Sequence, residues 1–157
     1  MLAGSSLALL GAFLFEFLGE LRPCSLCLYQ RVPHALAIFL CLGALVFYPN
    51  RNFTGLIFFI LTLTALSGAA IAGFHVGVEQ KFWPGTPECG GKLEGTSIEA
   101  MRLKLLQEPI VRCDEISWSF FGISMAGYNL LLSLVLASIS FLAAYSLVFK
   151  RKNYELN

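Results

Sequence analysis

Charge is what this chain has least of. Asp, Glu, Lys and Arg together make up 13% of its residues, about half the share usual in soluble domains. With 57% of residues hydrophobic and a mean hydropathy of +0.71, an ordinary water-soluble domain is excluded. The few charges nearly cancel, to a formal +1, so nothing points to nucleic acid as a partner. Repeats and low-complexity tracts are absent. No basic segment follows Met1 and no small-residue cleavage site ends the first apolar run. That run is therefore expected to stay as a helix and not to be removed as a signal peptide.

The charge that is present is gathered in one place. Of the 21 acidic and basic residues, 12 fall between Glu79 and Glu115, which leaves long neutral tracts elsewhere. A membrane-crossing helix needs about 20 mainly apolar residues. The tracts predict an all-α membrane protein, a single integral membrane domain over residues 1–157. It is a four-transmembrane-helix bundle with spans near 2–20, 30–49, 53–76 and 127–149 and a long loop, 77–126, between helices 3 and 4. Pro23 suits a helix start, so the second helix should open close to the cysteines beside it. The short turn Pro49-Asn50-Arg51-Asn52 makes spans two and three antiparallel neighbours. Ala65, Ala69, Gly73 and Gly77, at steps of four, form a small-residue stripe that lets helices approach in lipid. In the long loop, Thr96-Ser97-Ile98-Glu99 has the form of a capping box opening a short helix that Glu108-Pro109 closes. Trp118, Phe120 and Phe121 read as an aromatic anchor at the membrane interface.

Between the first two spans lies Arg22-Pro23-Cys24-Ser25-Leu26-Cys27-Leu28-Tyr29-Gln30-Arg31, a Cys-x-x-Cys pair. In a four-span chain the first and third loops emerge on the same side, so Cys24, Cys27, Cys89 and Cys113 share one face of the membrane. Three uses of four such cysteines compete. A structural zinc site normally pairs two close-spaced knuckles. Here 62 positions separate Cys27 from Cys89 and 24 more lead to Cys113, so the second knuckle is missing and no metal is expected. A purely structural disulfide would tie down the loop. A redox relay accounts for all four. Cys89, beside Gly90-Gly91 on an aqueous loop, would meet a soluble protein thiol, while Cys24 and Cys27 at the bilayer edge would meet a lipid-soluble acceptor. Electron pairs pass between disulfides through mixed-disulfide intermediates. Four thiols allow three pairings, and spacing does not choose among them.

Arg31 stands four residues after Cys27, one helical turn away on the same face. A fixed cation there favours thiolate over thiol, whose unperturbed pKa is about 8.5. The helix N-terminus adds to the effect. The same cation can stabilise negative charge developing on a quinone oxygen.

Taken together, Pro-Cys-x-x-Cys-x-Tyr-x-Arg after a first span, a cysteine pair in the second outer loop, and Cys-Asp-Glu-x-x-Trp-x-Phe-x-Gly before the last span resemble the disulfide bond formation protein B (DsbB) family. The likeness covers essentially the whole chain. It implies a multi-pass protein of the bacterial inner membrane with its redox cysteines, and the loop between helices 3 and 4, facing the periplasm. Such a protein reoxidises a DsbA-like periplasmic dithiol oxidase of thioredoxin fold. The electrons pass to a membrane quinone, ubiquinone or menaquinone, and no metal takes part. By position, Cys24 and Cys27 match the quinone-proximal pair, with Cys27 as the thiolate facing the quinone and Arg31 as its conditioning cation. Cys89 matches the cysteine that the partner attacks, and Cys113 its mate. His75 falls where the family has a histidine beside the quinone. Two features depart from the pattern: the basic N-terminus common in the family is absent, and Cys41 has no place in the relay. Lys150-Arg151-Lys152 beside the last span gives the charge rule only slight purchase on orientation. Two other readings stay open, an enzyme resembling vitamin K epoxide reductase and a scaffold resembling a tetraspanin with structural disulfides.

Overall fold

The computed structural model describes residues 1–47, 51–90 and 111–155. Four helices carry nearly all of it: α1 (Leu2–Phe17), α2 (Ser25–Phe47), α3 (Arg51–Glu79) and α4 (Met125–Glu155). Three of them are long and apolar enough to cross a membrane, over Ser25–Val46, Phe53–Glu79 and Met125–Leu147. The first, α1, is apolar but shorter, at 16 residues. Its expected extent of 2–20 is cut at Phe17 because the backbone turns there: Gly19 N–H bonds back to the Leu14 carbonyl and Glu20 takes a positive φ of 53°. At the other end of that link, α2 begins at Ser25, earlier than the expected 30, since Leu28 N–H already donates to the Cys24 carbonyl at 3.1 Å.

Helix α3 is central. Half of its span is buried, against 28% for α2 and α4, and its most extensive packing is on α4. The small-residue stripe explains the close approach. Ala65 and Ala69 are buried, and Ala65 packs in a cluster with Leu136 and Ala137 of α4. On the other side, Leu61 and Ile57 pack with Ala37 of α2, and the unpaired Cys41 fills space against that cluster. The outward faces carry Leu7, Phe39, Val46 and Leu142, each more than 60% exposed. So much exposed apolar surface is a solvent mismatch in water and a match in lipid.

At the end where the cysteines lie, the chain after α3 folds back over the bundle. Trp83 lies on Gly77 and stacks near Phe74, with Nε1–H donating to the Phe74 carbonyl at 3.1 Å. A Cβ on Gly77 would come within 1.9 Å of the indole, so only glycine permits this contact. A 3₁₀ turn, Pro87–Gly90, then carries Cys89. Before α4, strands β1 (Ser119–Phe120) and β2 (Ile123–Ser124) form a two-stranded antiparallel ribbon. Its turn, Phe121-Gly122, has both φ angles positive, 48° and 77°, the geometry of a tight hairpin. The ribbon holds Phe121 out at 88% exposure while Trp118 packs on Phe15 of α1 at 4.9 Å. The aromatic segment is thus a hairpin, with one ring turned inward. The expected helix at 96–108 and residues Pro49 and Asn50 of the turn lie outside the described residues.

Replacing Gly77 by Ala is expected to cost about 1–3 kcal/mol through overpacking, seen as a lower thermal midpoint in detergent. Gly43→Ala, where a Cβ meets nothing within 4 Å, is the control and should leave the midpoint unchanged or raise it. Equal midpoints for the two variants would contradict the Trp83–Gly77 contact.

Candidate functional site

Pro23 and Cys24 precede the first turn of α2, and Cys24 caps it. Its carbonyl takes the first helical hydrogen bond, and its sulfur accepts from Cys27 N–H at 3.3 Å. A sulfur fills the role that an oxygen usually plays at an N-cap. Both thiols are free, and Cys24 S–H donates to Cys27 Sγ at 2.8 Å. That bond, with burial second, pushes the Cys24 thiol well above its ordinary range, which keeps the proton on Cys24.

Cys89 and Cys113 form a disulfide, with Cα atoms 5.1 Å apart. The disulfide does not stand out in water as the aqueous-loop expectation had it. Cys89 is 6% exposed and Cys113 fully buried, in one cluster with Cys24, Leu26 and Val78. Cys27 packs against the same cluster. Two hydrogen bonds dock the turn that carries Cys89. Tyr29 O–H donates to Glu88 Oε2 at 2.6 Å, and Ser25 Oγ–H to the Glu88 carbonyl at 3.3 Å. The chain pattern placed the two pairs on one side. Burial of sulfur and valine surface, steered by these bonds, brings them into contact.

His75, on α3, stands between the pairs. Its Nε2 lies 3.6 Å from Cys24 Sγ. From there a line of polar side chains runs into the bundle. Gln30 Nε2 meets His75 Nδ1 at 2.7 Å, Asn129 Nδ2 donates to Gln30 Oε1 at 2.6 Å, and His34 Nε2 meets Asn129 Oδ1 at 2.8 Å. Ser5 Oγ closes the line at 3.4 Å from His34 Nδ1. The directions are mutually consistent. An amide N–H at Gln30 makes His75 Nδ1 an acceptor, so the neutral ring carries its proton on Nε2, facing Cys24. Every donor in the line then points toward the cysteines, ending on Cys27 Sγ. Glu79 lies one turn beyond His75, 3.8 Å from Nε2, and accepts from Ser124 Oγ–H.

Arg31 is held differently from a cation turned only toward Cys27. Its Nη1 binds Glu16 of α1 at 2.5 Å, and its guanidinium lies 4.9 Å from the centre of the Phe13 ring. Among the described residues its buried Nε has no acceptor. A cavity of about 260 Å³ opens among the helices beside it, walled by Ala8, Ala12 and Phe15 and reached by Cys27, Arg31, His75 and Asn129. Cys24, Cys27 and His75 also bring three metal-ligating atoms within 4.8 Å of one another.

All six residues singled out from sequence thus meet at one end of the bundle. Glu16, Gln30, His34, Glu79 and Asn129 were missed. Each is a polar side chain inside an apolar tract, and that alone marks a residue for attention in a membrane helix.

The profile of the family described as Disulfide bond formation protein DsbB matches residues 1–143. The protein named Disulfide bond formation protein B from Hahella chejuensis is 30% identical over 145 residues, covering 90% of this chain and 84% of its own. Its namesake from Methylococcus capsulatus is 32% identical over 144 residues, 86% of this chain and 85% of its own. Disulfide bond formation protein B 2 of Pseudomonas entomophila is 32% identical over 158 residues, 92% and 88% of the two chains. No solved structure gives a significant match. A helical membrane chain with two cysteine pairs in one cluster, and a family profile matched from its first residue into its last helix, belongs to the DsbB family of disulfide bond formation proteins.

Proposed function

We propose that this chain is a protein-dithiol:quinone oxidoreductase of the bacterial inner membrane. It takes electrons from a DsbA-like periplasmic dithiol partner and delivers them to a membrane quinone. The observation that carries this reading is the single buried cluster of Cys24, Cys27, Cys89 and Cys113 beside a cavity reached by Arg31. Helix α1 serves as a fourth span. Its 16 residues rise about 24 Å, a shortfall that local thinning of the bilayer absorbs. All four cysteines then face the periplasm.

The cavity suits a quinone head. Its walls are mostly apolar, and Arg31 Nε is a buried donor in need of an acceptor such as a ring carbonyl. Ubiquinone and menaquinone both present one. When bound, the quinone supplies an acceptor for two electrons and two protons.

The remaining steps belong to the protein. A partner thiolate attacks Cys89, which breaks the Cys89–Cys113 bond and releases Cys113. The second partner thiol then frees Cys89 and closes the partner's disulfide. The resulting dithiol is reoxidised by the Cys24–Cys27 disulfide, which leaves Cys24 and Cys27 as thiols. A disulfide at 89–113 with free thiols at 24 and 27 is the distribution reached after this exchange. Cys113 attacks Cys24, whose sulfur faces the Nε2 proton of His75, and Cys27 leaves as the thiolate. Cys27, at the helix N-terminus and one turn from Arg31, is the sulfur that gives up the electron pair. Cys24 then closes onto it, so the two thiol protons and two electrons depart together.

Given a reduced thioredoxin-fold partner, the purified protein should reduce a soluble quinone analogue, followed by quinone absorbance. Cys27→Ser should abolish turnover. Arg31→Met should slow it roughly 100-fold, the scale of losing one charge-stabilising group. Undiminished turnover in Cys27→Ser would rule the scheme out.

The Tyr29–Glu88 bond gives a second expectation. Losing one hydrogen bond worth about 1 kcal/mol raises the open fraction of the docked turn about fivefold. Tyr29→Phe should therefore speed reduction of Cys89–Cys113 by dithiothreitol two- to fivefold, read by alkylation and mass. An unchanged rate would mean that the turn is not held by this contact.

A further inference from the structure

We propose that the reduced form of this protein binds a soft divalent cation, Zn²⁺ or Cd²⁺, through Cys24, Cys27 and His75, with Glu79 closing the fourth position. The sulfur and nitrogen atoms come from two elements that the fold brings together, and all lie within 4.8 Å. Zinc bonds of about 2.3 Å to sulfur and about 2.0 Å to nitrogen set a tetrahedral S···N edge of about 3.5 Å. Cys24 Sγ and His75 Nε2 are 3.6 Å apart. The two sulfurs, at 2.8 Å, must separate by about 1 Å to span a tetrahedral edge, a rotation of the Cys27 side chain. Glu79 Oε1 lies 3.8 Å from His75 Nε2 but outside the three-atom group, so its side chain must rotate inward to reach the fourth position, while Ser124 holds the other carboxylate oxygen.

The polar line behind His75 makes the ligation workable. To bind a metal through Nε2 the ring must carry its proton on Nδ1, which faces Gln30. Turning the Gln30 amide by a half rotation presents its oxygen there, and the same turn at Asn129 keeps that pair bonded. With the His34 proton moved to Nδ1, toward Ser5, the line reverses direction without losing a hydrogen bond between its members. A ligating histidine anchored by a carbonyl through its other nitrogen is the usual supporting arrangement at zinc.

Binding displaces the two thiol protons and involves no electron transfer: two thiols, a neutral imidazole and M²⁺ give the bis-thiolate complex and 2 H⁺. It therefore requires the pair to be reduced, and oxidation of Cys24–Cys27 expels the metal. The cation would hold the enzyme in its reduced state. The missing second knuckle in the sequence had argued against a zinc site built from cysteines. The third ligand instead comes from a different helix.

Co²⁺ serves as the optical probe. Phosphine-reduced protein in detergent should develop a thiolate-to-cobalt charge-transfer band that saturates at one metal per chain and is bleached by Zn²⁺. The C89S/C113S variant should retain it. Air-oxidised protein and Cys24→Ser should lack it, and Gln30→Leu should weaken binding roughly 10–100-fold. With the wild-type chain alone, one equivalent of Zn²⁺ should protect Cys24 and Cys27 from alkylation, as mapped by mass. A band of undiminished strength in Cys24→Ser, or protection falling on Cys89 and Cys113 instead, would overturn the proposal. None of these readouts uses quinone or a protein partner, so their outcome is separable from that of the proposed reaction.

Discussion

Lipid offers no water to a buried polar group, so every donor and acceptor inside the bundle must be matched by the protein itself. This chain meets much of that demand with one connected line, from Ser5 through His34, Asn129, Gln30 and His75 to Cys24 and Cys27, while Arg31 Nε and Ser133 Oγ have no partner among the described residues. The line draws on all four helices, and so its side chains fix the helices against one another as well as orienting the histidine. Because each amide and ring has a defined direction, the last donor faces sulfur. Linked hydrogen bonds polarise one another in a low-dielectric setting, and here the polarisation favours negative charge at the cysteine pair. The site is a consequence of how the bundle satisfies its interior.

The second constraint is closeness of the two sulfur pairs. Disulfide exchange is an in-contact reaction, and a loop held away from the membrane could not perform it. Glu88, docked by Tyr29 and Ser25, seats Cys89 against the start of α2. Trp83 folded over Gly77 sets where the loop leaves α3. In the proposed relay, burial protects the internal exchange from stray thiols but also hides Cys89 from a soluble partner. The docked turn would then have to lift for that partner and settle for the internal step, and the exposed, modest Tyr29–Glu88 contact suits both.

Much of this was legible in the residues. The Cys-x-x-Cys, the two loop cysteines, Arg31 and the apolar tracts each carry a local signal, and the step-of-four stripe in α3 marked its packing face. What escaped were contacts between single polar residues far apart in the chain. Asn129 meets Gln30 across 99 positions and His34 across 95, and no local pattern reports such a meeting. Glu16, a lone carboxylate near the end of α1, carries no local sign of its pairing with Arg31 of α2. Trp118, Phe120 and Phe121 read as an aromatic anchor because their rings dominate the local signal, although Phe120 and Phe121 belong to the ribbon Ser119–Ser124. The Phe-Gly turn inside it was the overlooked sign of a hairpin.

Contact between the two pairs is the claim on which the relay stands. It can be tested in a chain that keeps only Cys24 and Cys113 as redox cysteines, with Cys27→Ala and Cys89→Ala. The protein is allowed to oxidise in the membrane, and its disulfides are mapped by mass. An intramolecular Cys24–Cys113 bond forming in most molecules is the expected result. Two free thiols, or a disulfide found only between separate chains, would contradict it.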